Sequence, residues 1–216
     1  MADRFSLEDK PLYFVTDHNL TGGRPQIEVI RATLKGGVRF IQYRDKELSE
    51  TDFCLEAESI LDECKKYGAL LLLNDRVDAA KKIGADGVHL GQGDMDPKEA
   101  RDILGPTAII GLSTHNREEV LAAQSQPVDY INIGPMFPTA TKEHSLYPAL
   151  GLATVLKLSK LSTIPFTTMG GIKKSHFREL FNSGINTVAM VTEIGLAVDP
   201  ESRVQKLLTE IAKSRR

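Results

Sequence analysis

The sequence predicts a (β/α)8 barrel that forms a single domain, and three observations support this fold class. Eight short apolar runs recur along the 216 residues, segments with helical periodicity separate them, and several of these segments end in glycine. The apolar runs are nearly continuous rather than alternating, as in a parallel sheet whose two faces are both covered. Eight β–α units in a chain of this length predict a closed barrel.

The predicted strands are spread evenly along the chain. They are Leu12–Thr16, Phe40–Gln42, Ala69–Leu73, Gly87–Leu90, Ala108–Gly111, Tyr130–Ile133, Pro165–Thr168 and Thr187–Val191. Between them, Thr51–Tyr67 is the clearest predicted helix. Gly68 and Gly84 stand just before a strand, where a glycine can take the left-handed conformation that ends a helix. Because no linker or composition shift divides the chain, we predict one domain over residues 1–216, with its core over about residues 11–212.

An open, doubly wound sheet is the alternative fold. Such a sheet more often has about five or six strands, and its dinucleotide-binding form carries a Gly-x-Gly-x-x-Gly motif after the first strand. No such motif follows Leu12–Thr16. The pattern therefore favours the barrel.

The composition excludes several classes of partner. The chain has 27 Lys and Arg against 29 Asp and Glu, a formal net charge of −2, so we expect no binding to nucleic acid or to an anionic membrane. No apolar stretch approaches the ~20 residues of a spanning helix, and the N-terminus lacks the apolar core of a signal peptide. Cys54 and Cys64 lie about 15 Å apart in one predicted helix, too far for a disulfide. We expect free thiols and a cytoplasmic protein.

Polar residues follow nearly every predicted strand, at the end where a barrel carries its chemistry. In chain order they are Asp17 and His18; Gln42, Arg44 and Lys46; Asn74 and Asp75; His89, Gly91, Gln92 and Asp94; Ser113, Thr114 and His115; Gly134; Gly170 and Gly171; and Thr192. The opposite rim carries glycine-rich turns and little chemistry. We therefore predict a binding site at one rim.

Three cations of this rim, Arg44, Lys46 and Lys142, are candidates to face an anion. Arginine offers a planar fork suited to phosphate oxygens, and lysine adds a point charge. Because Arg44 and Lys46 are two residues apart, an extended backbone projects them to the same side. The alternative is that these cations are ordinary solvated loop charges. Asp45 lies between Arg44 and Lys46 in the sequence and faces elsewhere, so we expect it to have no ligand role.

Asp75 and Asp94 follow neighbouring strands and are the candidate metal ligands. Mg²⁺ typically binds one or two carboxylates together with phosphate oxygens. The alternative is that each carboxylate caps the helix that follows it. Carboxylates and cations on one rim favour a metal-bound pyrophosphate substrate, because Mg²⁺ would offset the repulsion between the carboxylates and the phosphates.

The last strands carry a candidate phosphate site. The glycine pair that ends at Gly171 precedes a helix, and Thr192 follows the last strand, where barrels often bind a phosphate. The long loop GPMFPTATK adds two hydroxyls and Lys142. We expect His89 to point into the barrel as a hydrogen-bonded structural residue, whereas His115 could reach a ligand. No Ser-His-Asp or Cys-His set stands out, and no cluster has zinc-ligand spacing.

Several segments resemble sequence blocks of the thiamine phosphate synthase family. They are QYRDK, LLLNDRVDAA, GADGVHLGQGD, GLSTHN, IGPMFPTATK, GGI and VAMVTEI, in order over roughly residues 12–195. The resemblance implies a (β/α)8 transferase that joins hydroxymethylpyrimidine diphosphate to a thiazole phosphate, or to its carboxylate form, and releases pyrophosphate. It implies Mg²⁺ as the cofactor and small molecules as partners, and it leaves a homo-oligomer open.

The resemblance also implies roles for individual residues. The diphosphate would be held by Arg44, Lys46, Asn74 and Lys142, and Mg²⁺ by Asp75 and Asp94. The pyrimidine would contact Gln42 and Ser113, and the thiazole phosphate would contact Thr139, Thr141, Gly171, Val191 and Thr192. The implied catalytic residues are Arg44, Lys46, Ser113 and Lys142. Glu193 departs from the family pattern, since a carboxylate there would repel a phosphate unless it points away.

The implied reaction needs no protein nucleophile, which agrees with the lack of a triad. Three alternatives stay open. A related thiazole tautomerase uses a histidine after the fifth strand, which His115 would fit, but it has no need of Asp94 or Lys46. A non-catalytic barrel could bind thiazole phosphate or thiamine phosphate. A generic sugar-phosphate barrel enzyme would leave the two carboxylates beside three cations unexplained.

Overall fold

The structure, a computed structural model, describes residues 5–139 and 147–215. Eight parallel strands close into a barrel in chain order, and the eighth pairs with the first. Their bounds are β1 Leu12–Val15, β2 Phe40–Tyr43, β3 Leu70–Asn74, β4 Gly87–Leu90, β5 Ile109–Thr114, β6 Tyr130–Ile133, β7 Phe166–Met169 and β8 Val188–Met190. Each strand overlaps its predicted range, so the predicted (β/α)8 fold is confirmed.

Helices connect the strands on the outside of the barrel. They are α1 Gln26–Gly36, α2 Glu50–Lys66, α3 Val77–Ile83, α4 Pro97–Leu104, α5 Arg117–Ala123, α6 Gly151–Ser159, α7 Phe177–Asn182, α8 Thr192–Gly195 and α9 Pro200–Ser214. The helix predicted over Thr51–Tyr67 is α2. Gly37 at φ 115° and Gly84 at φ 69° end α1 and α3 in the left-handed region, as predicted for such glycines.

The strand side chains alternate between two cores because successive side chains of a strand point to opposite faces. On β1, Leu12 and Phe14 pack outward against the helices, while Tyr13 and Val15 pack inside the barrel. The outer core is completed by apolar helix residues, and α9 closes the ring by packing on α1 and α7. Burying each large apolar side chain contributes about 1.5–3 kcal/mol. The two cores therefore fix which strand residues can face a ligand.

An aromatic layer, formed by Tyr13, Phe40 and Tyr130, fills the middle of the barrel. The rings of Tyr13 and Phe40 stack with centroids 3.9 Å apart, and Phe40 meets Tyr130 edge to face at 5.8 Å. Phe5 covers this layer from the N-terminal side, 5.5 Å from Phe40 and 5.6 Å from Tyr130. All three residues of the layer are buried. The layer forms a floor below the rim that carries the chemistry.

Gly111 on β5 makes room for this floor. A Cβ at this position would lie 2.2 Å from Cζ of Tyr130 and 2.4 Å from its hydroxyl oxygen. Carbon atoms in contact are ordinarily about 3.5–4.0 Å apart. Gly111 and Tyr130 are register partners on neighbouring strands, so the glycine lets the tyrosine ring lie across β5.

Cys54 and Cys64 are both buried free thiols. Among the described helices, none has the length and apolarity that crossing a membrane requires.

Candidate active site

A cavity of about 400 Å³ opens at the C-terminal ends of the strands, above the aromatic layer. Small-molecule sites commonly enclose about 300–1,000 Å³. The sequence-predicted residues that line it are Gln42, Arg44, Lys46, Asn74, Asp75, Asp94, Ser113, Thr139, Gly171, Val191 and Thr192. Thr141 and Lys142 lie outside the described residues. The described candidates therefore share one cavity, although they come from every part of the chain.

Arg44 is held in place by the end of β1. Its guanidinium Nη1 pairs with Oδ2 of Asp17, and its backbone N–H donates to Oγ1 of Thr16 at 2.9 Å. Asp17 is only 9% exposed. Its buried carboxylate therefore holds the guanidinium of the arginine in one orientation. The sequence places Asp17 after the first strand but indicates no role for it. The missing signal was its contact with β2, which only the barrel closure creates.

Lys46 reaches across to Asp75, with 3.3 Å between Nζ and Oδ2. Asp75 has φ 52°, a conformation that costs a non-glycine residue about 1–3 kcal/mol and that is often found at functional sites. The alternative of a helix cap at Asp75 is wrong: the N-cap of α3 is Arg76, with no side-chain cap. The backbone of Asp75 instead turns its carboxylate to the cavity.

Asp94 also has no capping role. The helix cap before α4 is Asp96, whose carboxylate accepts from the N–H groups of Lys98 and Glu99 at 2.8 and 3.4 Å. Asp94 Oδ2 accepts from the N–H of Gly91 at 2.6 Å, which holds its loop in a tight turn beside the cavity. Residues 5–139 and 147–215 contain no group of three His, Cys, Asp or Glu placed to hold a metal. Two carboxylates on one cavity wall still suit Mg²⁺, because this ion commonly completes its shell with substrate oxygens and water.

Asp45, for which the sequence predicts no ligand role, makes structural contacts. It is 3% exposed and accepts hydrogen bonds from Nε2 of Gln26 and from the N–H groups of Glu47 and Leu48, all at 2.9–3.0 Å. These bonds shape the loop after β2. Asp45 thereby fixes the segment on which the two cations Arg44 and Lys46 stand.

A buried hydrogen-bond chain runs through the barrel beneath the cavity. Gln42 Nε2 donates to Tyr13 Oη at 2.6 Å, and Tyr13 Oη lies 3.0 Å from Tyr130 Oη. Tyr130 Oη lies 2.8 Å from His89 Nδ1, and His89 Nε2 lies 2.9 Å from Ser113 Oγ. Burial raises the pKa of both tyrosines above the ordinary value, so both keep their hydrogens. His89 is thus buried and hydrogen-bonded through both ring nitrogens, as the sequence predicted.

His115 also lines the cavity, where the sequence placed it within reach of a ligand. Its ring stacks on Tyr147 with centroids 3.6 Å apart, and its Nδ1 lies 2.8 Å from Oε2 of Glu119. Stacking and the carboxylate fix the orientation of the ring. His115 is thus one wall of the cavity near its mouth.

The candidate phosphate end is built from tight backbone turns. Gly171 has φ 59°, and a Cβ there would lie 2.5 Å from the carbonyl oxygen of Pro138. The short helix α8 begins at Thr192, and Arg24 clamps its far end by donating to the carbonyls of Gly195 and Ala197, each at 2.8 Å. The contact of Arg24 with this helix could not be predicted from the sequence, because its partners lie about 170 residues away along the chain.

Glu193 does not turn fully away from this end. Its side chain is among those that line the cavity, and its Oε2 lies 3.9 Å from Nη1 of Arg203. The arginine offsets part of its negative charge. This partial neutralisation reduces the repulsion that a phosphate bound at Thr192 would otherwise meet.

A family model described as thiamine monophosphate synthase matches residues 12–194. The chain belongs to this family. It is 41% identical over 196 residues to the thiamine-phosphate synthase of Caldicellulosiruptor saccharolyticus, covering 91% of this chain and 88% of the relative. It is 42% identical over 186 residues to that of Persephonella marina, covering 86% of this chain and 88% of the relative.

A solved structure shows a similarity to the same kind of enzyme. Thiamine phosphate pyrophosphorylase from Pyrococcus furiosus superposes with a TM-score of 0.86 at 31% identity, covering 96% of this chain and 98% of that protein. A 3-hexulose-6-phosphate synthase superposes with a TM-score of 0.61 at 15% identity, which shows the shared barrel fold alone. The chain is therefore a transferase of the thiamine-phosphate synthase kind, acting on small molecules.

Proposed function

We propose that the cavity joins 4-amino-5-hydroxymethyl-2-methylpyrimidine diphosphate to a thiazole phosphate, with thiamine phosphate and pyrophosphate as products. The observation that carries this proposal is one cavity in which Arg44 pairs with Asp17 and Lys46 pairs with Asp75. The buried hydrogen-bond chain lies beneath these ion pairs and ends at Gln42 and Ser113. The paired cations and carboxylates suit a metal-bound diphosphate, and the polar groups at the two ends of the chain suit a heterocycle. The carboxylate form of the thiazole fits the same proposal.

Arg44 and Lys46 are the described cations that would hold the leaving pyrophosphate, together with Asn74 and with Lys142 from outside the described residues. Asp17 keeps the guanidinium of Arg44 aimed at the cavity before a ligand arrives. Such preorganised cations need no reorganisation when charge develops on the leaving oxygens, and removing one costs about 3–4 kcal/mol of barrier in comparable sites.

Asp75 and Asp94 are the residues that would hold Mg²⁺. Bound there, the ion would neutralise charge on the diphosphate and polarise its bridging oxygen. Lys46 lies 3.3 Å from Asp75, so its ammonium group would be within reach of a diphosphate bound beside this carboxylate. Lys46 would thus exchange Asp75 for the diphosphate when the substrate binds, while Arg44 keeps its contact with Asp17.

The bond changes balance without a protein nucleophile. The C–O bond to the diphosphate breaks, and its electron pair leaves with pyrophosphate. The aminopyrimidine ring, held by Gln42 and Ser113, delocalises the positive charge on the methylene carbon. The thiazole nitrogen then gives its lone pair to that carbon and becomes the thiazolium of the product. Orienting the two rings in this way can contribute up to roughly 7–11 kcal/mol in the best cases.

The thiazole phosphate would bind at the tight turns around Gly171, Val191 and Thr192. Thr139 and, outside the described residues, Thr141 would add hydroxyl donors from the loop after β6. The pairing of Glu193 with Arg203 supports an anion at this end, because it lowers the local negative charge.

Two alternatives make different demands on the cavity. A thiazole tautomerase would use His115 and would have no need of Lys46 or Asp94, yet both line the cavity, and Lys46 pairs there with Asp75. A non-catalytic barrel would bind thiazole phosphate or thiamine phosphate without turnover. A cytoplasmic location remains a prediction from the sequence, which leaves a homo-oligomer open.

The test is to incubate the purified protein with both substrates and Mg²⁺ and to measure thiamine phosphate and pyrophosphate. We expect equimolar products, with Arg44→Ala lowering kcat/KM by roughly 100-fold or more. Lys66→Ala, an exposed cation on α2, is the matched control and should keep full activity. Binding of both ligands without product would favour the non-catalytic barrel. Full activity of Asp94→Ala with unchanged Mg²⁺ dependence would remove the metal assignment.

A further inference from the structure

The buried chain of Gln42, Tyr13, Tyr130, His89 and Ser113 has both of its ends at the cavity. Its four contacts are 2.6–3.0 Å long, and each needs one hydrogen. All five residues are buried, with at most 8% exposure. Because every hydroxyl has a single hydrogen and a neutral imidazole has a single N–H, the state of one contact decides the state of the next.

The direction of the chain follows from Gln42. Its Nε2 can only donate, so Tyr13 Oη accepts and gives its own hydrogen to Tyr130 Oη. Tyr130 must then donate to Nδ1 of His89, which therefore has no hydrogen. The imidazole hydrogen lies on Nε2 and is donated to Oγ of Ser113.

One end of the chain therefore offers a hydrogen-bond acceptor to the cavity, and the other end offers a donor. Among the described residues nothing donates to Oε1 of Gln42, so this oxygen is an acceptor for a ligand. Ser113 Oγ accepts from His89, so its own hydrogen is available to a ligand. If both ends accepted from the ligand, a hydroxyl hydrogen of Tyr13 or Tyr130 would stay unpaired in the core. If both ends donated to the ligand, one contact of the chain would have no hydrogen. Either arrangement is costly.

We propose that this chain selects the pyrimidine by its hydrogen-bond polarity: Gln42 accepts from an exocyclic amine while Ser113 donates to a ring nitrogen. Tyr13, Tyr130 and His89 are positioning residues that couple the two ends and need not touch the ligand. A 4-oxopyrimidine presents the opposite pattern, a carbonyl acceptor and a ring N–H donor. To bind it, all four contacts would have to reverse together. The inference rests on the proposed function, since it assumes a pyrimidine above the floor.

Gly111 supports this assignment independently. A side chain at this position would collide with the hydroxyl end of Tyr130, at 2.4 Å from its oxygen. The glycine therefore serves to bring this hydroxyl between Tyr13 and His89. A tyrosine that only filled the barrel would not need its polar tip at that point.

The polarity can be read directly from ¹⁵N chemical shifts of the His89 ring, which separate a protonated from an unprotonated nitrogen. The protein is labelled with ¹⁵N-histidine, and the loss of signals in His89→Gln assigns the resonances. In the unliganded wild type we expect Nε2 protonated and Nδ1 unprotonated. Protonation at Nδ1, or at both nitrogens, would overturn the proposed polarity. This measurement needs no substrate, so it is independent of the proposed function.

The coupling is tested by calorimetric binding of the 4-amino pyrimidine diphosphate and of its 4-oxo counterpart, without thiazole phosphate. We expect the wild type to prefer the amine by roughly 10- to 100-fold and Tyr130→Phe to lose most of this preference. Tyr13→Phe is the second variant and should behave alike. Tyr43→Phe, which removes a buried hydroxyl bonded to Glu56 outside the barrel, is the matched control and should keep the preference.

A preference unchanged in both Tyr130→Phe and Tyr13→Phe would refute the coupling. A preference lost equally in Tyr43→Phe would show a general effect of lost hydroxyls and would refute it too. If the wild type binds neither pyrimidine, the proposed function fails, and the nitrogen shifts of His89 still decide the polarity of the chain.

Discussion

Replacing Gly111 by alanine tests whether the floor of the barrel is as tightly fitted as its geometry indicates. The added Cβ would lie 2.2 Å from Cζ of Tyr130, more than 1 Å inside the contact distance of about 3.5 Å. The Tyr130 ring must therefore move and give up its hydrogen bonds to Tyr13 and His89. Overpacking and the two lost bonds together lower the free energy of unfolding by roughly 2–6 kcal/mol.

The assay is urea unfolding followed by circular dichroism, with a thermal scan beside it. For a protein of this size the loss corresponds to a Tm lowered by roughly 5–20 °C. Gly93→Ala is the matched control, because a Cβ there meets nothing within 4 Å, and its stability should stay within about 0.5 kcal/mol of the wild type. A Gly111→Ala protein as stable as this control would refute the reasoning.

Three further predictions follow from contacts described above. Asp45→Asn places an amide where Gln26 Nε2 donates to a carboxylate, so the free energy of unfolding measured in urea should fall by about 1–3 kcal/mol. Asp62→Asn, on the exposed face of α2, is the control and should leave the free energy of unfolding unchanged. Arg24→Ala frees the end of α8 and should raise the KM for thiazole phosphate by roughly tenfold while that for the pyrimidine diphosphate stays constant; an equal rise in both would contradict a local role. Burial, with smaller effects of nearby carboxylates, raises the pKa of Cys64 to about 12, so the thiol stays protonated and Ellman's reagent at pH 8 should label it only after unfolding.

Local pattern was enough to predict the barrel because each strand is a short buried apolar run, and such runs need no knowledge of distant residues. The same holds for the rim. Once Gln42, Arg44 and Ser113 are assigned to strand ends, parallel pairing brings them to one side of the sheet. The thiamine phosphate synthase blocks added roles that spacing alone left open.

Contacts that depend on barrel closure could not be predicted. Tyr13 and Tyr130 read as core members of apolar runs, and their hydroxyl partners come from β2 and β4. Asp17 meets Arg44 only because β1 and β2 are paired. The cap alternatives at Asp75 and Asp94 failed for a different reason. Asp96, two residues after Asp94, caps the helix instead, and Asp75 adopts a backbone conformation that sequence alone does not reveal.

The aromatic layer also has a kinetic consequence. Because Tyr13, Phe40 and Tyr130 seal the barrel and Phe5 lies beneath them, molecules enter and leave the cavity at its mouth. Gln42 and Ser113 belong to β2 and β5, whereas Thr192 follows the end of β8, so a thiazole phosphate that arrived first would block the pyrimidine. We expect compulsory-order kinetics with the pyrimidine diphosphate binding first, and thiamine phosphate acting as a competitive inhibitor of that substrate.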